Sequence, residues 1–169
     1  MLKSKDFILK NVEGITGKRI GFINDVLLNI NNREIIGFSV ISKKLFSKDV
    51  YILKENIISF GDKLIFNGFN KGKYLKLSNI KGFEVIDIEG NIIGILEDIL
   101  VGEEGLTIKG ILVSTGLIEN FIEGKRILLL DDIILGDNSI FLFNSNKEFN
   151  FYTKPHFTTL GDEENKNHK

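Results

Sequence analysis

The chain has 169 residues, of which 43% are hydrophobic and 27% charged, with a formal net charge of −1. That length suits one ordinary domain or two small ones, and the apolar share is enough to build a core. The absence of cysteine excludes disulfides, thiol nucleophiles and thiolate metal sites, and no stretch approaches the roughly 18 consecutive apolar residues of a spanning helix.

The polar opening Met1–Asp6 is not followed by an apolar signal core, so a cytoplasmic location is expected. Phe7-Ile8-Leu9 precede Val12, and from there short apolar runs alternate with Gly, Asn and Asp, the pattern of strands joined by tight turns. In Ile23–Ile30 the apolar phase changes at Asp25: Ile23 lies on one phase, and Val26, Leu28 and Ile30 on the other. A strand that changes face at a fixed point predicts a β-bulge. Asn31-Asn32 mark the next turn and Gly61-Asp62-Lys63 a later hairpin, completing a first unit at residues 1–69. Residues 70–81 read as a linker or as the first strand of a second unit. That unit spans 82–145 and repeats the phase change at Leu96, Asp98, Ile99 and Val101, with turns at Glu104-Gly105 and Gly136-Asp137-Asn138. Gly116–Glu123 carries apolar residues at helical spacing and is followed by Gly124, a helix stop. Residues 146–160 are too aromatic for a free tail. They are read as packing back on a barrel, with presentation to a partner as the other option. Residues 161–169 are expected to be disordered.

The two units are copies. Gly17, Gly21, Asp25, Gly37 and Val40 recur as Gly90, Gly94, Asp98, Gly110 and Val113, each 73 residues later. After a two-residue insertion, Ile52-Leu53, Gly61-Asp62 and Ile65-Phe66 recur 75 residues later as Ile127-Leu128, Gly136-Asp137 and Ile140-Phe141. Such a register points to internal duplication and to an all-β chain of two small antiparallel barrels in tandem with little helix.

The repeated pattern resembles the PRC-barrel family. Gly17, Ile20, Gly21, Asp25, Val26, Gly37, Phe38 and Val40 carry the likeness in the first copy. Gly90, Ile93, Gly94, Asp98, Ile99, Gly110, Ile111 and Val113 carry it in the second. A later element, Ile52–Ile57 and Leu129–Ile133, adds to it, and the likeness covers about residues 2–66 and 82–143. It is similar to barrels in the photosynthetic reaction-centre H subunit, a 16S rRNA maturation factor, archaeal cell-division proteins and sporulation-associated proteins of Firmicutes. The resemblance implies an adaptor that docks on a protein or ribonucleoprotein, and it implies no catalytic residues.

The residues themselves offer little chemistry. His156 and His168 lie outside the barrels, and no nucleotide-binding loop, zinc-protease or nucleophile-elbow motif occurs. Asp25 and Asp98 could be imagined as an acid and base. Each holds the same place in its own copy, however, which favours a carboxylate accepting backbone N–H bonds at a bend. Glu103-Glu104 and Asp131-Asp132 read as solvated turns. No enzyme activity, cofactor or metal is therefore expected, and Gly21, Asp25, Gly37, Gly94, Asp98 and Gly110 are expected to be structural.

Charge is more informative. Residues 1–81 carry 15 basic and 7 acidic side chains, a net of +8, and residues 82–143 carry 3 and 12, a net of −9. Opposite fields steer partners and discourage like-with-like contacts. Lys43, Lys44, Lys48, Lys71 and Lys73 are the expected partner-binding residues. An unidentified protein partner is the first expectation. The alternative is RNA or a ribosomal particle on the basic unit, and a contact between basic and acidic units, within or between chains, is a further option.

Overall fold

A computed structural model describes residues 1–42, 50–102, 106–143 and 151–153. The chain divides into a first unit, Met1–Ile80 with Leu100–Lys109, and a second, Lys81–Ile99 with Gly110–Lys169. Strands dominate both.

The first unit contains β1 (Leu2–Lys3), β2 (Asn11–Gly14), β3 (Arg19–Asn29), β4 (Glu34–Ser42), β5 (Val50–Leu53), β6 (Ile57–Phe60), β7 (Lys63–Phe66), β8 (Leu75–Lys76) and the helix α1 (Leu77–Ile80). The second is built on β9 (Glu84–Ile86), β10 (Ile92–Val101), β11 (Ile108–Ser114), α2 (Leu117–Ile122), β12 (Arg126–Leu129), β13 (Ile133–Leu135), β14 (Ser139–Leu142) and β15 (Phe151–Tyr152). Neighbours in the first sheet run β5-β4-β3-β2-β7-β6. In the second they run β12-β11-β10-β9-β14-β13, with β15 added outside β12. The two orders are identical strand for strand.

Each sheet also holds one parallel pair, a departure from the purely antiparallel expectation. Strand β2 pairs with β7 (Val12 opposite Leu64), and β9 pairs with β14 (Val85 opposite Ile140). Both pairs join strands from opposite ends of a unit, so no local turn signal announces them.

Side chains on one face of each sheet make its core. In the first unit the core is aromatic. Phe7 and Phe38 are fully buried, Phe38 stacks on Phe60 with ring centroids 5.2 Å apart, and Phe7 touches both rings at 5.7 Å. In the second it is aliphatic, centred on Val85, Leu96, Ile111, Val113, Leu128, Ile140 and Leu142.

The repeated glycines and aspartates have specific jobs. Gly17 and Gly90 close the β2–β3 and β9–β10 turns at φ +76° and +86°, a region that suits glycine. A Cβ on Gly21 would overlap the Ile41 carbonyl, and one on Gly37 the Ile52 carbonyl. Gly94 meets the Ser114 carbonyl and Gly110 the Leu128 carbonyl in the same way. These positions are glycine because neighbouring strands press together there. The expected bulge falls at Asn24: Ile23 pairs with Val40 and Asp25 with Ser39, leaving Asn24 unopposed. Beyond it Val26, Leu27 and Leu28 are all buried, as are Ile99, Leu100 and Val101 in the second copy.

The first unit shows where these doubly buried ends go. β1 pairs Leu2 with Val101 and Lys3 with Leu100, while β8 pairs Leu75 with Leu28 and Lys76 with Leu27. The partners in the two pairings are related by the same 73-residue offset. Between hairpin tips, the Ile35 N–H donates to the Leu106 carbonyl (2.9 Å) and the Ile108 N–H to the Arg33 carbonyl (2.7 Å), again 73 apart. Arg33 and Leu106 adopt φ of 55° and 57°. Positive φ in the turn expected at Asn31-Asn32 thus falls on Arg33, while Asn32 N–H donates to Asn29 Oδ1. Residues 70–80 cluster with the first unit, and β8 pairs with β3. The turn expected at Glu104-Gly105 lies outside the described residues.

Close strand approach at Gly21 makes a clean contrast with Gly61, where a Cβ meets nothing within 4 Å. In urea unfolding, Gly21→Ala is expected to lose about 3 kcal/mol through overpacking, and Gly61→Ala to stay within about 0.5 kcal/mol of the parent.

Candidate docking surface

The two bend aspartates are used up by the fold. Asp25 is 6% exposed, and its Oδ1 accepts the Val26 N–H at 2.8 Å. The Ser78 N–H in α1 points at both of its oxygens at 3.4 Å. Asp98 is 8% exposed, accepts the Ile99 N–H at 2.8 Å and lies 3.9 Å from Lys81 Nζ. Each carboxylate holds the N–H of the residue that follows it, at the bulge in the case of Asp25.

Two other carboxyls sit below their ordinary range. A hydrogen bond from the Lys54 side chain lowers Glu34, against a smaller opposing effect of burial. Asp87, in the β9–β10 turn, is lowered first by the Asn91 side chain and then by the Asn91 and Glu89 N–H groups. Among the described residues, the causes that lower both are hydrogen bonds and the Lys54 charge rather than a second acid. Among the described residues, no three His, Asp or Glu side chains could together hold a metal ion, and no helix is long and apolar enough to cross a membrane.

The best-formed surface feature is a basic and aromatic patch along β5 in the first unit. Asn70 builds it. Its N–H donates to the Tyr51 carbonyl (2.8 Å), its Oδ1 accepts from the Leu53 N–H (3.0 Å) and from Asn56 Nδ2 (2.9 Å), and its Nδ2 reaches Glu55 (3.5 Å). These bonds tie Asn70 to the outer edge of β5 and to the turn that follows it. Tyr74 then turns back, its hydroxyl donating to the Lys71 carbonyl at 3.1 Å and its ring meeting Tyr51 edge-on at 5.2 Å. Lys76 Nζ lies 5.6 Å from the centre of the Tyr51 ring, within cation–π range. Lys71 and Lys73 are exposed on this loop, and Phe69, 53% exposed, packs on Phe66.

The loop therefore sets Lys71 and Lys73 beside a strand that lies about 20 residues away in sequence. Lys43, Lys44 and Lys48 lie outside the described residues. So do His156, His168, Glu103-Glu104 and the expected tail. Sequence reasoning missed Asn70, because a lone asparagine in a polar loop carries no periodicity. It also missed the outward face of α2, since helical spacing alone does not tell which side is covered.

Compared with known proteins, residues 72–148, a little under half of the chain, match the family model of the PRC-barrel domain. The match begins at Gly72, so it takes in β8 and α1. Domains of this family are generally non-catalytic modules of protein interaction. No curated protein matches the chain.

If Asn70 organises the patch, Asn70→Ala should cost about 2 kcal/mol in chemical unfolding by stranding several polar groups. It should also diminish the tyrosine near-ultraviolet circular dichroism, whereas Lys71→Ala should leave both unchanged.

Proposed function

From a chain that carries a PRC-barrel domain, we propose a non-catalytic cytoplasmic adaptor built from two copies of that barrel, the first unit carrying the further copy outside the matched residues. The shared strand order and the paired roles of Gly21 and Gly94, Asp25 and Asp98 support the tandem reading. The adaptor holds a protein partner with an acidic surface on the patch around Lys71 and Lys73.

The observation that carries this reading is the patch itself, with exposed lysines fixed beside Tyr51 and Tyr74 in the half of the chain that bears +8. Tyrosine is enriched at protein interfaces, and exposed lysines around it steer an acidic surface toward the patch. RNA recognition through single strands would want flat, open rings for bases to stack on. Tyr51 and Tyr74 meet edge-on and are half-buried, so they favour a protein surface. The lysines Lys43, Lys44 and Lys48 extend the basic character of this half of the chain.

The test is capture after crosslinking in cells, with and without nuclease, using the parent chain and a Lys71→Glu/Lys73→Glu variant. A partner retained after nuclease, and bound about tenfold more weakly by the variant at low salt, is the expected result. Recovery that vanishes with nuclease would shift the reading to a ribonucleoprotein partner. Capture indifferent to both treatments would remove the patch from the account.

A further inference from the structure

Helix α2 carries an apolar face that the described residues of the second unit leave exposed. Leu117, Ile118, Phe121 and Ile122 fall within about 140° around the helix axis. Leu117 is 92% exposed, Ile118 76% and Ile122 60%. The helix is held from its polar side. Asn120 Nδ2 donates to Ser114 Oγ (2.7 Å), and its Oδ1 accepts from the Thr115 N–H (3.2 Å) and hydroxyl (3.3 Å). Six residues are too few for a helix to persist in water by itself. A surface helix is normally stabilised by turning its apolar stripe inward, and here the stripe points out.

The described chain ends beside the segment that follows the C-terminus of this helix. Strand β15 adds to β12, with Tyr152 opposite Arg126. Thr153 then donates its N–H to the Lys125 carbonyl (2.9 Å) and accepts the Lys125 N–H on Oγ1 (2.8 Å). Lys125 follows Gly124, which ends the helix at φ +87°. The chain continues as Lys154-Pro155-His156-Phe157-Thr158-Thr159-Leu160. At up to about 3.4 Å per residue, Phe157 can lie about 13 Å from Thr153 and Leu160 about 24 Å, while α2 is only about 9 Å long.

We propose that residues 154–160 dock on the apolar face of α2, setting Phe157 and Leu160 against Leu117, Ile118 and Ile122. The insertion that distinguishes the second copy from the first then acts as a receptor for the chain's own end. This contact lies in the second unit and is independent of the partner proposed for the first.

The absence of cysteine makes the test direct. In the full chain, Ile118→Cys is paired with Phe157→Cys, and for comparison Asp131→Cys, on the turn leaving the other end of β12, is paired with Phe157→Cys. Mild oxidation should form an intrachain disulfide at least tenfold faster in the first pair. Equal rates in the two pairs would overturn the proposal. Links formed only between chains would instead seat a second copy on the helix and would also overturn it. A second readout avoids reliance on engineered thiols: chymotrypsin cleavage after Phe157 should quicken about tenfold in Ile118→Ser, and an unchanged rate would contradict the docking.

Discussion

A strand that lies on the face of a small sheet and then runs on buried on both sides must break its own alternation, and the rest of this protein depends on that break. At Asn24 one extra residue enters β3, and the Asp25 carboxylate, 6% exposed, takes up the N–H of Val26. Without that acceptor a buried peptide group beside the bulge would lack a partner, at a cost of one to a few kcal/mol. The same arrangement recurs at Asp98 and Ile99. Past each aspartate three consecutive apolar residues are buried, a pattern that fits strands covered on both faces. In the second copy the residue after Ile99 already belongs to the first unit.

The bend, the tight glycines and the strand order are held in common, whereas the surroundings differ. One core is filled by Phe7, Phe38 and Phe60 and the other by aliphatic side chains. The β9–β10 turn uses Asp87 where the β2–β3 turn has Gly14, and the β11–β12 connection carries α2. With a net of +8 on residues 1–81 and −9 on residues 82–143, the two surfaces repel different things. What the backbone needs is alike in the two halves, and the exposed positions differ.

Local features were legible from sequence for this reason. The phase change at Asp25 announced the bulge because burial on alternate faces leaves a period of two. Leu117–Ile122 announced α2 because its apolar residues recur at helical spacing and Gly124 stops it. What escaped notice was long-range. The parallel pairing of Val12 with Leu64 joins residues some fifty apart, and no turn between them encodes it. The strand at Leu75-Lys76 is only two residues long, too short to show a period, yet it repeats Leu2-Lys3 at the 73-residue offset. The patch was half legible: the lysines stood out, but Asn70, which fixes Lys71 and Lys73 beside β5, did not.

Native-state amide hydrogen exchange tests the central claim most directly, by comparing the parent chain with Asp25→Ala. In the parent, the Val26 amide should exchange as slowly as the most protected core amides. In the variant, protection should fall by about 30-fold or more at Val26, Leu27 and Leu28, the loss expected from about 2 kcal/mol of local stabilisation. The Ile99 amide, held by its own aspartate, should change less. Protection unaltered at Val26 in Asp25→Ala would contradict the account, because the bend would then be held by something other than its carboxylate.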